Sequence, residues 1–467
     1  MSINRTEHIV IALLTLIIAV AGLQTGIFWD NLVFITNMGD ALQMNGLLAW
    51  GSLPIPADPG HPLLPATLVA AAWNLFGRSL LVSHIVMWPF IYGVLWQVCR
   101  FCRFFLHNDR HTLAAFLLLM ADPTLLSQLT LVSPEVLLLF FALLALNAIL
   151  YQQHLLKTVA LAFLGLVSLR GMMVCGGLFL IDLWFNRRQF LNRRNLLSYA
   201  IGALPAVSFV VWRLIAKGWI IDNPMNTWGD ATGYDSPIHF LRNVGFNCIV
   251  LAHRFLDFGR IVPMLFVVTM LIVCRPKDRR ISQLVAIAIL STIVVSLSSI
   301  CIINTMGHRY YILSYLSIHL TAFILLLRLH HRRTWYAILI GSLVAGNFII
   351  YPDKTAQGWD SSLAQLNYWH PRRQMLQYID EKHISVAHTA TFFPNWGIID
   401  MTDLNGDTRS FIDFTGNEPY VFYSNVFNLS DEDYELLHRN YVLLQSYSQL
   451  GVRVELYSKT SHTGNEK

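Results

Sequence analysis

The chain has 467 residues, of which 55% are hydrophobic and only 13% charged, about half the charged share of a soluble domain. That composition excludes an ordinary soluble enzyme and reads as an α-helical polytopic membrane protein. The formal net charge of +5 is no sign of a nucleic-acid partner, because the basic residues sit in short clusters between apolar runs, where they set orientation in a lipid bilayer.

The first apolar run, 9–29, is about 21 residues long, enough to span, whereas a signal-peptide core needs only about 7 to 15. It therefore reads as an anchor, despite the cleavage-like "AVA" at Ala19 to Ala21. Further runs at 80–105, 112–131, 135–151, 157–169, 172–185, 196–216, 259–274, 281–303, 310–328 and 334–350 bring the expected number of spans to about 11. The stretch 157–185 is too brief for two perpendicular helices and predicts a broken hairpin buried by its neighbours, since irregular backbone is not tolerated against lipid.

Basic clusters at Arg100, Arg103 and Arg110, at Arg187, Arg188, Arg193 and Arg194, at Arg275, Lys277, Arg279 and Arg280, and at Arg328, Arg332 and Arg333 alternate with loops poor in Lys and Arg. They place the N-terminus in the cytoplasm, and an odd number of spans puts the C-terminus outside. The large outer segments are then 30–79, 217–258 and everything after Tyr351. Residues 351–467 differ in kind from 1–350: helical patterns at 373–382 and 431–440 alternate with strand-like "YVFYSNVF" and "VRVELYS", which predicts a small α/β extracytoplasmic domain. At about 115 residues it buries a core without disulfides. The six cysteines all lie in or beside apolar segments, and Cys99 and Cys102 lack the second pair that a metal site would need. There is no internal repeat.

Charge at membrane depth is costly, so titratable residues outside the cytoplasmic clusters are the candidates for chemistry. Asp40 lies in "GDALQMNGLLAWG", an amphipathic pattern suited to a helix in the interface, where it is equally a helix cap. Asp58 and His61 follow, and His61 with Pro62 has no accompanying metal-ligand pattern, so a structural or substrate-contacting role is expected of it. Asp122 sits in an "ADP" turn. Glu135 opens a span after Pro134, a position that the helix dipole also favours. Arg170 has no acid near it in sequence and needs a partner, either a lipid phosphate or a carboxylate from another span. Arg309, with His308 before it and Tyr310 after it, is of the same kind, with snorkelling as the plain alternative. The outer loop 222–240 offers Trp228, Asp230, Tyr234 and Asp235, a mix suited to stacking on and hydrogen-bonding a sugar, and also the composition of an ordinary polar loop.

The order of these pieces resembles the C-type superfamily of membrane glycosyltransferases, in its protein-mannosyltransferase-like and aminoarabinose-transferase-like branch. That family has an Asp, often followed by Glu, in the first outer loop, then a (Lys/His)-Pro-Pro-Leu stretch and an "FG". Here Asp40, "HPLL" at His61 to Leu64 and Phe76-Gly77 stand in that order, followed by Asp122-Pro123, "SPEVLLLFF" and "HRYYILSYL". Ala41 in place of a second acid, Leu63 in place of the second Pro and Glu135 in place of an Asp are departures. The resemblance covers 8–350. It implies a helical membrane fold with outer juxtamembrane helices and an inverting transfer of a single sugar. The donor would be a polyprenyl phosphate. The acceptor would lie outside the cytoplasm, as lipopolysaccharide, another cell-envelope glycan, a lipid or a protein, and the membrane would be the bacterial inner membrane. On this basis Asp40 is the expected base and Glu135 a second acid. Arg170 and Arg309 are expected on the phosphate, with His61, Asp122, Trp228, Asp230, His308 and Tyr310 as further substrate contacts. No cofactor is firmly implied, and a divalent metal stays open. The competing readings are a lipid-linked glycan flippase or transporter, an O-antigen polymerase or ligase, and a structural scaffold.

Overall fold

The computed structural model describes residues 4–51, 53–188, 190–220, 233–303, 306–355, 357–395 and 397–460, and every apolar run of the sequence is helical. Helix α1 (Arg5–Gly22) starts at a reciprocal cap: the Asn4 side chain accepts from the Glu7 N–H, and the Glu7 carboxylate accepts from the Asn4 N–H. A π turn, Leu32–Asn37, runs directly into α2 (Met38–Asn45), the short helix expected around Asp40. Then come α3 (Leu64–Phe76), α4 (Leu80–Phe105), α5 (Asp109–Met120), α6 (Pro123–Thr130) and α7 (Pro134–Leu150). The α5–α6 pair bends by 73° because Asp122 is extended and Pro123, which has no N–H to donate, begins a new helix.

Helices α8 (His154–Val167) and α9 (Leu169–Asn186) are separated by one extended residue, Ser168, whose side chain caps α9 through the Gly171 N–H. The expected break thus falls at a single position, and it leaves Arg170 in the first turn of α9. The membrane part continues through α10 (Arg193–Lys217), α11 (Pro237–Leu256), α12 (Ile261–Cys274), α13 (Arg279–Ser299), α14 (Ile312–Leu326) and α15 (Arg332–Gly346).

Among the described residues, six helical stretches are long and apolar enough to cross a membrane: α1, α4, α9, α10, α13 and His308–Leu326, which includes α14. Counting each bent pair, α5–α6 and α11–α12, as one span gives eight. The remaining runs of the expected set of about 11 are α7, α8 and α15, of 17, 14 and 15 residues. Helix α7 is apolar on every side, and all its residues except Phe140 are buried, the condition of a helix at the centre of a bundle.

The C-terminal residues add α16 (Trp369–Glu381), β1 (Thr389–Thr391), α17 (Ile399–Asp403), β2 (Ile412–Asp413), β3 (Tyr420–Ser424), α18 (Asp431–Asn440), β4 (Tyr441–Gln449) and β5 (Val452–Lys459). The strands form one sheet in the order β2-β1-β3-β5-β4, parallel around β1 and antiparallel from β3 to β4. Val421, Phe422, Val454 and Leu456 fill its core together with Met375 and Ile379 of α16. Two residues of the membrane part, Phe28 and Leu131, belong to this same core. The Phe28 and Trp369 rings meet at 5.7 Å, so the sheet unit is seated on the end of the bundle where α1 and α6 finish.

The corner between α11 and α12 turns by 92° through Gly259, which has a φ of +77° and lies so close to α15 that an added Cβ would stand 1.9 Å from the Ser342 carbonyl oxygen. Gly259→Ala therefore combines backbone strain with overpacking and is expected to destabilise by about 1 to 3 kcal/mol. Gly245→Ala, in α11 with open space around the added Cβ, is the control. Thermal unfolding in detergent should show a lowered midpoint for the first variant and none for the second.

Candidate active site

Six separate stretches of chain converge at one end of the bundle. Asp30 and Asn31 follow α1, His61 lies in the loop before α3, and Ser133 to Glu135 start α7. Ser168 and Arg170 flank the α8–α9 break, Arg309 lies in the 3-10 turn His308–Tyr311, and Asp360 lies in the 3-10 turn Trp359–Ser361. All but Asp360 line a narrow cleft, together with Phe34, Met38, Pro62 and Pro65. Its cavity volume of about 20 Å³ has room for about one water molecule, so in this state the side chains fill it themselves. Two larger cavities lie elsewhere, one of about 490 Å³ beside the sheet and one of about 310 Å³ among apolar residues of α8, α9 and α10. Neither gathers opposite charges.

Arg309 is the centre of the cleft. One of its terminal nitrogens donates to Asp30, the other donates to Asp360, and its Nε stands 3.7 Å from Glu135 Oε1. Arg170 donates to the same Glu135 oxygen at 2.5 Å and lies 3.9 Å from the centre of the Tyr310 ring. The sequence left Arg170 a choice between a lipid phosphate and a carboxylate from another span, and in this state it is the carboxylate. Asp360 is held by Gln128 Nε2 at 3.1 Å and by the Ser361 hydroxyl at 3.0 Å. Burial by itself raises the Asp360 carboxyl, but the Arg309 guanidinium against it outweighs burial and keeps it below the usual carboxylate range. Ser133 ties this network to α7, accepting from the Glu135 N–H and donating to Gln128 Oε1.

Three buried polar atoms here have no hydrogen-bond partner: Glu135 Oε2, Arg309 Nε and His61 Nδ1. A polar ligand in the cleft would have these three atoms to hydrogen-bond. The loop carrying His61 is fixed from below by Asp58, which accepts from Arg213 of α10 at 2.9 and 3.2 Å and from the Gly60 N–H at 3.1 Å.

The other described residues singled out from sequence lie outside the cleft lining. The two oxygens of Asp40 are taken up bidentately by Arg78 at 2.6 and 2.9 Å, and Arg78 also reaches Asp400 of α17 at 2.5 Å. Asp40 is inside α2 and caps nothing. Asp122, expected as a substrate contact, instead caps α6 and clamps Arg260 at 2.8 and 2.9 Å, which leaves its carboxylate no free oxygen. His308 points away from the cleft, to Asp257 at 2.8 Å. Tyr310 supports Arg170 from the side. Trp228 and Asp230 lie outside the described residues. Sequence reasoning missed Asp30 and Asp360. Asp30 had a weak signal as the first charged residue after the first apolar run, whereas nothing local to Asp360 joins it to a residue 51 positions away. Among the described residues, the one grouping of metal-type ligands is His253, Asp257 and His308, outside the cleft.

Burial, and after it the nearby Arg170 and Arg213 guanidiniums, lower the pKa of His61 to about 3. Between that value and its ordinary pKa of about 6.5, the unfolded chain binds a proton that the folded chain refuses, so stability falls as the pH is lowered through this window. Taking the protein from about pH 7.5 to about pH 5 should lower its unfolding temperature more than that of His61→Gln. Equal pH dependence of the two would contradict a histidine held neutral in the fold.

No protein-family model and no curated protein matches the chain. Two solved structures do. The crystal structure of ArnT from Cupriavidus metallidurans bound to undecaprenyl phosphate matches 98% of this chain and 99% of its own, with a TM-score of 0.52 at 13% sequence identity. The apo structure of ArnT from the same organism matches 96% and 97%, with a TM-score of 0.51 at 14% identity. The likeness is one of fold, and it runs nearly end to end: the chain has the fold of a C-type membrane glycosyltransferase of the aminoarabinose-transferase type.

Proposed function

We propose that the protein is an inverting glycosyltransferase that moves a single sugar from a polyprenyl phosphate to an acceptor at the outer face of the bacterial inner membrane. The observation that carries this reading is the cleft itself, where Arg170 and Arg309 meet Asp30, Glu135 and Asp360 around polar atoms that lack partners. The fold shared with a protein that binds undecaprenyl phosphate supports a lipid-linked donor. In this reading the N-terminus is cytoplasmic, 1–350 form the transferase part and 351–467 a periplasmic domain. The acceptor is lipopolysaccharide, another envelope glycan, a lipid or a protein.

The chemistry follows from charge. A donor phosphate entering the cleft takes over the guanidinium N–H groups of Arg170 and Arg309 and displaces the carboxylates that occupy them. A freed carboxylate accepts the proton of the acceptor hydroxyl, whose oxygen attacks the anomeric carbon from the face opposite the phosphate. The bond from that carbon to the phosphate oxygen breaks, its electron pair leaves with polyprenyl phosphate, and the two guanidiniums stabilise the developing charge. Two acids of the first outer segment compete for the role of base. Geometry favours Asp30, which shares the cleft with both arginines, over Asp40, whose oxygens are held by Arg78. Glu135 orients the acceptor or the sugar, and His61, neutral and half-buried, is an uncharged contact. Trp228 and Asp230 remain proposed sugar contacts.

The test uses purified protein in detergent and a panel of polyprenyl-phosphate monosaccharides, with release of polyprenyl phosphate as the readout. Wild type should turn over with at least one donor. Asp30→Asn should lose about 10²- to 10⁴-fold, the range for loss of a positioned base, while Asp40→Asn stays within about tenfold of wild type. The opposite pattern would return the base to Asp40. No release from folded wild type with any donor would contradict the transferase reading and favour transport or polymerisation of lipid-linked glycans.

A further inference from the structure

We infer that His253, Asp257 and His308 form a binding site for one divalent cation of the zinc class. His253 and Asp257 are four residues apart at the end of α11, a spacing that puts both on one face of the helix. His308 opens the turn that carries Arg309 and brings its Nε2 to 2.8 Å from Asp257 Oδ2, while His253 Nδ1 stands 3.8 Å from the same oxygen. One ligand atom from each residue lies within 4.8 Å of the other two. A cation at about 2.0 to 2.2 Å from each donor would sit between them once His308 Nε2 and Asp257 Oδ2 part from hydrogen-bond contact and His253 turns inward.

The carboxylate of the group is held in place by the residues around it. Asp257 Oδ1 is committed elsewhere, to the Tyr351 hydroxyl and to the Phe258 N–H, which fixes the carboxylate plane and turns Oδ2 toward the two imidazoles. His308 is fully buried and its Nδ1 has no partner, so its ring is anchored through Nε2. Asp257 is buried as well, while the His253 side chain is 52% exposed and leaves a path for entry. Two imidazole nitrogens and one carboxylate oxygen, with a fourth position open to water, suit zinc rather than calcium or magnesium, which take oxygen ligands. In the sequence the His253–Asp257 spacing offers two ligands, while the third, His308, lies 51 residues from Asp257.

A cation here would lock the α11–α12 corner to the turn holding Arg309, with positive charge one residue from that guanidinium. The site itself does not depend on the sugar-transfer reading, and its test avoids activity. Untagged full-length protein in detergent is stripped with chelator, dialysed against zinc, and assayed for zinc per chain by mass spectrometry. His253→Ala is the principal variant, since a half-exposed side chain is removed with little risk to folding. The chain has 17 histidines, so the difference between the two proteins is what counts. Wild type should hold one more zinc per chain than His253→Ala. In His253→Cys the extra zinc should return, and cobalt in its place should give a thiolate-to-metal charge-transfer band absent from wild type. Equal zinc content in wild type and His253→Ala, or a His253→Cys protein with no such band, would overturn the site.

Discussion

The arrangement of this protein depends on one guanidinium drawn largely out of water. A charge taken out of water is costly unless it is paired and hydrogen-bonded, and breaking such a pair typically costs about 3 to 5 kcal/mol. Arg309 meets that requirement with carboxylates from three remote places: Asp30 after the first helix, Glu135 at the start of the central helix and Asp360 after α15. Any fold that satisfies Arg309 must bring these three stretches together. Around that contact the two parts of the chain are joined further, through Thr124 to the Ser361 carbonyl at 2.9 Å and Gln365 to Thr130 at 3.1 Å. The sheet unit is therefore a partner in the cleft through Asp360.

Several ion pairs in this protein are buried, and what sets the cleft apart is that two guanidiniums and three carboxylates share it. Asp122 has both oxygens occupied by Arg260 and by the N-terminus of α6. Asp182 is likewise satisfied, by Lys157, Tyr199 and Asn186. These pairs bolt helices together and leave their carboxylates nothing for a ligand. In the cleft, Glu135 Oε2, Arg309 Nε and His61 Nδ1 remain unpaired.

Much of the fold was legible because it rests on local rules. Hydropathy located the helices, the strand-like run "VRVELYS" is β5, and α18 spans the stretch read as helical from its pattern. Ser430 caps α18, accepting from the Asp433 N–H. The cleft was only half legible. Glu135, Arg170 and Arg309 were visible as charges in apolar surroundings, and so was their need for partners, but pairing is decided by tertiary structure. Asp40 and Asp30 illustrate the limit. Asp40 stood out in its polar stretch, yet its partner Arg78 lies 38 residues on. Asp30 was hidden at the edge of an apolar run, and the residue that gives it meaning is 279 positions away.

The central claim is that Arg309 exchanges carboxylate for phosphate. A structure of the protein with bound undecaprenyl phosphate tests it most directly. The account predicts the phosphate between Arg170 and Arg309, with Asp30 released from Arg309 and facing the space where an acceptor would sit. A phosphate bound elsewhere, with the contacts of Arg309 to Asp30 and Asp360 intact, would contradict it.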